Sequence, residues 1–281
     1  MKGFYIIVAT ILDTIAEHAK ERVKKAKEMC SLAEIKSEAL SMDFSTGFPF
    51  EDALSSQGIS FICECKKASP SKGIIAQDFP YLKIAEEYEA ADASCISVLT
   101  EPKWFLGKNE YLKEITEHVS IPCIRKDFVV DEYMIYEAKL LGASAVLLIC
   151  SLLSTELLAY YIQICRQLGL SALVEAHDEQ EVTSAIEAGA RIIGVNNRNL
   201  KNFTVDVSNS QKLRALVPEN ILFVAESGIK NRKDVETLEK ACVDAVLIGE
   251  TLMKSRDKKR MINVLKGLET DNFAGIESLK L

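Results

Sequence analysis

The sequence predicts an α/β protein, a closed (β/α)8 barrel of the TIM type with an N-terminal helical extension. Three observations predict it. Eight short apolar runs recur along the chain, helical patterns fill the intervals between them, and polar residues interrupt the runs at one and the same end. The runs cover residues 60–65, 93–99, 122–126, 145–150, 171–175, 191–196, 222–226 and 244–249. Most are nearly continuous in Ile, Val, Leu, Ala and Cys, the pattern of parallel strands buried on both faces. Their starts lie about 20 to 35 residues apart, the size of one βα unit. Eight such units fit a closed barrel better than an open doubly wound sheet. No Gly-x-Gly-x-x-Gly follows the first run, which weakens a dinucleotide-binding reading.

The intervals justify themselves in the same way. The helical segment at 132–141 closes on Gly142, and the one at 179–188 closes on Gly189; a glycine just past a helix suits the left-handed C-cap conformation. Asp178 with Glu181 three residues on predicts a capping box. Residues 1–59 form the extension, 60–268 the catalytic barrel and 269–281 a tail. Within the extension, 11–35 reads as one basic–acidic helical pattern, and 44–54 brings Phe44, Phe48 and Phe50 as packing residues. The extension either covers the bottom or edge of the barrel or reaches over its mouth.

Composition narrows the function classes. The chain has 281 residues, 48% of them apolar and 27% charged, and a formal net charge of −7. A barrel of this length buries a large core without disulfides or metals. The acidic balance argues against nucleic acid or an anionic membrane as partner. A small anionic substrate stays open, because a local basic pocket overcomes a modest negative total. Five of the eight cysteines, Cys63, Cys65, Cys95, Cys123 and Cys150, lie inside apolar runs, where a thiol behaves as a small hydrophobe. With no Cys-x-x-Cys and no histidine at zinc-ligand spacing, the pattern predicts reduced thiols and no metal. The apolar run 4–9 is short, lacks a small-residue cleavage site and leads into a charged helix, so the expected compartment is the cytoplasm.

In such barrels chemistry sits where strands end. The first run ends in Glu64 and Lys66, which alternation places on one side of the strand, whereas Lys67 points the other way. The third ends in Lys126, the fifth in Glu175, the sixth in Asn196 and Arg198, the seventh in Glu226 and Ser227. One such break can be a strand meeting water, but several at the same end converge on a site. Carboxylates raise the pKa of a neighbouring lysine. Glu64, Glu175 and Glu226 therefore favour lysines that act as proton donors or anion clamps rather than as imine-forming amines. Gly228 and Gly249 follow the last two strands, where loops and a short helix N-terminus commonly hold phosphate in this fold; each is otherwise a tight turn. Glu250 is expected to lend its backbone there while its side chain turns away.

These residues carry a resemblance. ECKKASPSKG at 64–73, IRKDF at 124–128, LVEAH at 173–177, IGVNNRNL at 193–200, AESGI at 225–229 and VLIGETLM at 246–253 resemble indole-3-glycerol-phosphate synthase, in the family's order and over roughly residues 10–265. WFLGKNEYL at 104–112 also resembles the loop after the second strand, with Lys108 where the family usually has serine. The resemblance implies a cofactor-free lyase of tryptophan biosynthesis. It converts 1-(2-carboxyphenylamino)-1-deoxyribulose 5-phosphate to indole-3-glycerol phosphate, releasing carbon dioxide and water. It implies Lys126 as general acid, and Lys66 on the substrate carboxylate and as a second acid. Glu175 stabilises the cationic intermediate or orients Lys126, Glu64 is a base, and Asn196 binds hydroxyls. Glu226 belongs to the same catalytic set. Ser69, Phe105, Phe128, Leu147, Arg198 and Ser227 would line the substrate, with Pro70, Ile149 and Leu200 around the ring, and Gly228, Gly249 and Glu250 near the phosphate. The partner is then a small anionic aromatic phosphosugar, with room for association with other enzymes of the pathway. His177, just past the fifth strand, is read as a rim residue.

Three rivals remain open to the sequence. A Schiff-base aldolase would use Lys66 or Lys126 as an amine. A phosphoribosylanthranilate isomerase would need a cysteine–aspartate pair at strand ends, and Cys63 and Cys65 flank Glu64 with no partner aspartate evident. A non-catalytic barrel that binds a phospholigand has no need of so many ionisable groups.

Overall fold

The computed structural model describes residues 10–199 and 203–270. Its strands are β1 (Ser60–Cys65), β2 (Cys95–Leu99), β3 (Cys123–Lys126), β4 (Ala145–Ile149), β5 (Ser171–Ala176), β6 (Ile192–Asn196), β7 (Leu222–Glu226) and β8 (Ala245–Ile248). Each pairs in parallel with the next, and β8 returns to β1 from Ser60↔Ala245 to Cys63↔Ile248, so the barrel closes. A two-residue hairpin, Ala68–Ser69 with Gly73–Ile74, stiffens the loop after β1.

Alternation along the strands sorts the core into two parts. Ile62, Ile124, Leu147, Leu173, Ile192, Val224 and Leu247 fill the barrel interior. Cys63, Cys65, Ile96, Val98, Cys123, Val146 and Phe223 face outward under the helices. Cys63 and Cys65 thus point away from the mouth, and burial pushes the Cys63 thiol up to about 12. A thiol so placed performs no acid–base chemistry in the cavity, which removes the isomerase reading. Cys242, outside the apolar runs, is exposed, on a turn with φ 57°.

The extension holds three helices, α1 (Ile11–Met29), α2 (Leu32–Ser41) and α3 (Pro49–Leu54). The pattern at 11–35 is therefore two helices, not one. Ser31 accepts from the Glu34 N–H while the Glu34 carboxylate accepts from the Ser31 N–H at 2.7 Å, a capping box that starts α2. Phe50 and Leu54 of α3 are buried and plug the bottom of the barrel. Phe48 is half-buried beneath the Arg191 guanidinium, 4.2 Å above its ring. Phe44 does not pack; it is 63% exposed. α1 runs to the other end, so both expectations for the extension hold, for different helices.

Around the barrel lie α4 (Tyr81–Glu89), α5 (Asn109–His118), α6 (Tyr133–Leu140), α7 (Thr155–Gln167), α8 (Glu179–Glu187), α9 (Ser208–Arg214), α10 (Arg232–Lys240), α11 (Glu250–Lys254) and α12 (Lys258–Lys266). Gly142 and Gly189 both take φ of +80°, as the C-cap argument requires. Asp178 caps α8, accepting from the Glu181 N–H at 2.9 Å, but the box does not close. Glu181 turns instead to His177, accepting from its backbone N–H at 2.7 Å. No helix among the described residues is long and apolar enough to cross a membrane.

Candidate active site

Strand register brings the predicted polar residues together. Asn196 pairs with Glu226 across β6 and β7, Ile149 with Glu175 across β4 and β5, and Leu99 with Lys126 across β2 and β3. At the mouth they surround a cavity of about 520 Å³. Lys126 Nζ donates to Glu226 Oε2 at 2.9 Å and to Glu175 Oε2 at 3.2 Å. Lys66 forms an ion pair with Glu64 on the opposite wall. All of these carboxylates are buried.

Burial disfavours the charged form of Lys126. Glu226, Glu175 and Glu64 outweigh burial and hold its pKa well above that of an ordinary lysine. Glu175, which burial would raise, is kept below the usual carboxylate range by Lys126 and His177. Glu226 goes the other way. Burial dominates, the neighbouring Glu175 adds to it, and the carboxyl is pushed up to about 7. Lys126 is thus an ammonium ion that faces the cavity, as the carboxylate argument predicts.

Two glycines make room for these side chains. A Cβ on Gly194 would run into the Glu226 carboxylate, and one on Gly249 would run into Glu64 and come within 2.8 Å of Lys66 Nζ. Gly249 therefore serves the catalytic wall as well as the turn into α11, for which it is the N-cap. Gly228, with φ +86°, follows Ser227 at φ 67°, and its missing Cβ lets Val205 approach. Ser227, Gly228, Gly249, Glu250, Thr251 and Lys254 gather at one end of the cavity. Thr251 Oγ1 donates to Ile229 O at 2.6 Å and ties the last two loops together.

A family model of indole-3-glycerol phosphate synthase matches residues 12–265. The chain belongs to the indole-3-glycerol phosphate synthase family. It is 56% identical over 257 residues to the indole-3-glycerol phosphate synthase of Ruminiclostridium cellulolyticum, covering 92% of this chain and 99% of that protein. It is 53% identical to that of Endomicrobium trichonymphae, over 91% and 99%. The activity is the family's, that of a carboxy-lyase. Among solved structures it is similar to a 3-hexulose-6-phosphate synthase, at 15% identity and a TM-score of 0.59, covering 74% of this chain and 99% of that one. A KGPDC from Streptococcus mutans matches at 10% identity and 0.58, covering 75% and 97%. These likenesses are of the barrel alone.

Against the family frame, every predicted site residue lines the cavity: Lys126, Lys66, Glu175, Glu64, Asn196, Glu226, Ser69, Phe105, Phe128, Leu147, Arg198, Ser227, Gly228, Gly249 and Glu250. Pro70 and Ile149 do so too, while Leu200 lies outside the described residues. Phe105 and Phe128 stand with ring centroids 5.9 Å apart. Glu250 departs from expectation. Its side chain stays at the rim, 2.6 Å from Lys254, 3.7 Å from Lys72 and 3.8 Å from Arg198. His177 is not a rim residue; it is packed behind Glu175, its Nε2 3.5 Å from Glu175 Oε1.

Other contributors were not read from the sequence. Ile11, Leu12 and Ile15 of α1 line the cavity, and their apolar spacing on a charged helix was the available signal. Arg22 of α1 donates to both oxygens of Asp127, at 3.1 and 2.7 Å, between Lys126 and Phe128. Buried Glu101 accepts from the N–H groups of Lys103, Trp104 and Phe105 at 3.0, 2.7 and 3.1 Å, which fixes the loop that carries Phe105. Lys108 is the N-cap of α5 and makes no side-chain cap.

Proposed function

We propose that the chain closes, decarboxylates and dehydrates 1-(2-carboxyphenylamino)-1-deoxyribulose 5-phosphate with Lys126 as the first general acid. The observation that carries the reading is the Lys126 ammonium held between Glu175 and Glu226 at the cavity wall. The arene carbon that bears the carboxylate attacks the ketone carbon, and Lys126 gives its proton to the developing alkoxide. The ring is then a cation, which Glu175 stabilises. Loss of carbon dioxide returns the electron pair to the ring. The new hydroxyl leaves as water with a proton from Lys66, and Glu64 takes the proton from the adjacent methylene, giving the indole.

Phe105, Phe128, Leu147 and Ile149 are the walls for the anthranilate ring, Lys66 holds its carboxylate, and Asn196 holds the sugar hydroxyls. The phosphate sits at the end formed by Ser227, Gly228 and the start of α11, where loop backbone N–H groups are the donors. The cytoplasm is the compartment this biosynthetic role fits, and association with other enzymes of the tryptophan pathway remains part of the proposal. The test is indole fluorescence on mixing protein and substrate, with and without a chelator. A rise that survives the chelator and falls about 10²- to 10⁴-fold in Lys126→Ala is expected. No rise in a folded sample that still binds phosphate would overturn the reading and revive the binding-only barrel.

A further inference from the structure

His177 is a half-buried titratable side chain that this mechanism leaves without a task. Its Nδ1 lies 3.0 Å from Glu181 Oε2, and Glu181 also accepts from its backbone N–H. Its carbonyl accepts from Asn209 Nδ2 at 3.1 Å, which ties the backbone under the ring to α9. Its Nε2 is buried, satisfied by no hydrogen bond, and faces Glu175 Oε1 at 3.5 Å. Glu175 Oε2 is the oxygen on Lys126.

The tautomer follows from the partners. Nδ1 donates to a carboxylate, so it carries a proton. A neutral ring would then aim the lone pair of Nε2 at a carboxylate oxygen, two electron-rich atoms facing each other away from water. A proton on Nε2 removes the conflict and makes the ring a cation.

Glu175 and Glu226 face it from β5 and β7, Glu181 from the start of α8, and Lys126 across Glu175; Cys150, whose Sγ donates to Glu181 O, is pushed up to about 12 by burial and stays neutral. Burial disfavours the charged ring, yet Glu181, Glu175 and Glu226 outweigh it and raise its pKa above the ordinary histidine value.

We propose that His177 is a positioning residue for the reaction: as an imidazolium anchored by Glu181, it holds Glu175 Oε1 and so keeps Oε2 turned to the ammonium of Lys126. The proposal rests on the role of Lys126 given above. Turnover should fall as pH rises through the pKa of the ring, because the cation that fixes Glu175 is lost there.

The chain has three histidines, so ring resonances assign by single substitution. In the wild type, the His177 ring should titrate above the ordinary value of ~6.5, and in Glu175→Gln its pKa should drop. His177→Gln should lower kcat about tenfold or more with little change in KM, and should lose the matching alkaline limb of the kcat profile. His177→Phe should cost more. A His177 ring that titrates at or below the ordinary value, or a His177→Gln profile that overlays the wild type, overturns the proposal. The ring titrations need no turnover, so they fail independently of the assignment of Lys126, whose own failure shows as absent indole in the wild type.

Discussion

The two ends of the cavity are built from the same kinds of charge in opposite styles. At the end proposed to take the ketone, Lys126 is half-buried with two buried carboxylates at 2.9 and 3.2 Å, and Glu175 is in turn 3.5 Å from His177. At the end proposed to take the phosphate, Glu250 is shared by Lys254, Lys72 and Arg198 over 2.6 to 3.8 Å, on side chains 19% to 57% exposed. Buried pairs are costly to break because the partner left behind has no water. Exposed pairs are worth little and exchange readily. The ketone end therefore fixes a protonation state, whereas the phosphate end offers cations that an arriving dianion can take over from Glu250.

The largest effect should come from behind the ketone end. Arg22→Ala leaves Asp127 buried without its bidentate partner and should cost about 3–5 kcal/mol of stability in urea unfolding, with lower kcat because Asp127 adjoins Lys126 and Phe128. A cost below 1 kcal/mol would mean that α1 contributes no clamp.

Next comes pH. Glu226 has a folded pKa of about 7, above the unfolded value of 4.5, so its favourable contribution is complete below pH 4.5 and lost as pH rises through 7. Glu226→Gln imitates the protonated form. It should unfold at higher temperature than the wild type at pH 8, by up to roughly 3 kcal/mol, with the gap closing below pH 4.5. Equal melting at both pH values would show that burial does not dominate at Glu226.

At the phosphate end the expected change is smaller and has the opposite sign to damage. Glu250→Gln releases Lys72, Arg198 and Lys254, so inorganic phosphate should bind about three- to tenfold tighter by calorimetry at low salt. Weaker binding would mean that Glu250 organises the phosphate loops rather than competing for their cations. The smallest effect lies outside both ends. Lys108→Ser supplies a cap to α5 where the lysine gives none, and should add about 0.5–1 kcal/mol to stability with kcat unchanged. A fall in kcat would instead give position 108 a part in the chemistry.

The barrel was legible because its signal is periodic. Each strand lies within two residues of its apolar run, and the polar residues that end the runs all reach the cavity. What the sequence hid depends on distance along the chain or on a competing partner. Arg22 and Asp127 are 105 residues apart, and nothing local announces their pairing. The capping box at Asp178 fails because His177 offers Glu181 two donors, which only the fold brings into place. Gly194 and Gly249 look like turn residues until Glu226 and Glu64 are seen to lie over them. The break between α1 and α2 was readable, since Ser31 and Glu34 have the capping spacing, but the longer charge pattern masked it.

In the proposed reaction Lys126 works as an ammonium ion and never as an amine. The most direct test is borohydride added during turnover of the carboxyphenylamino-deoxyribulose phosphate, followed by intact-mass and peptide mass measurement. An unchanged protein mass and full activity after the reductant is removed are expected. A substrate-sized mass increase on the peptide carrying Lys126, with activity lost in step, would contradict it.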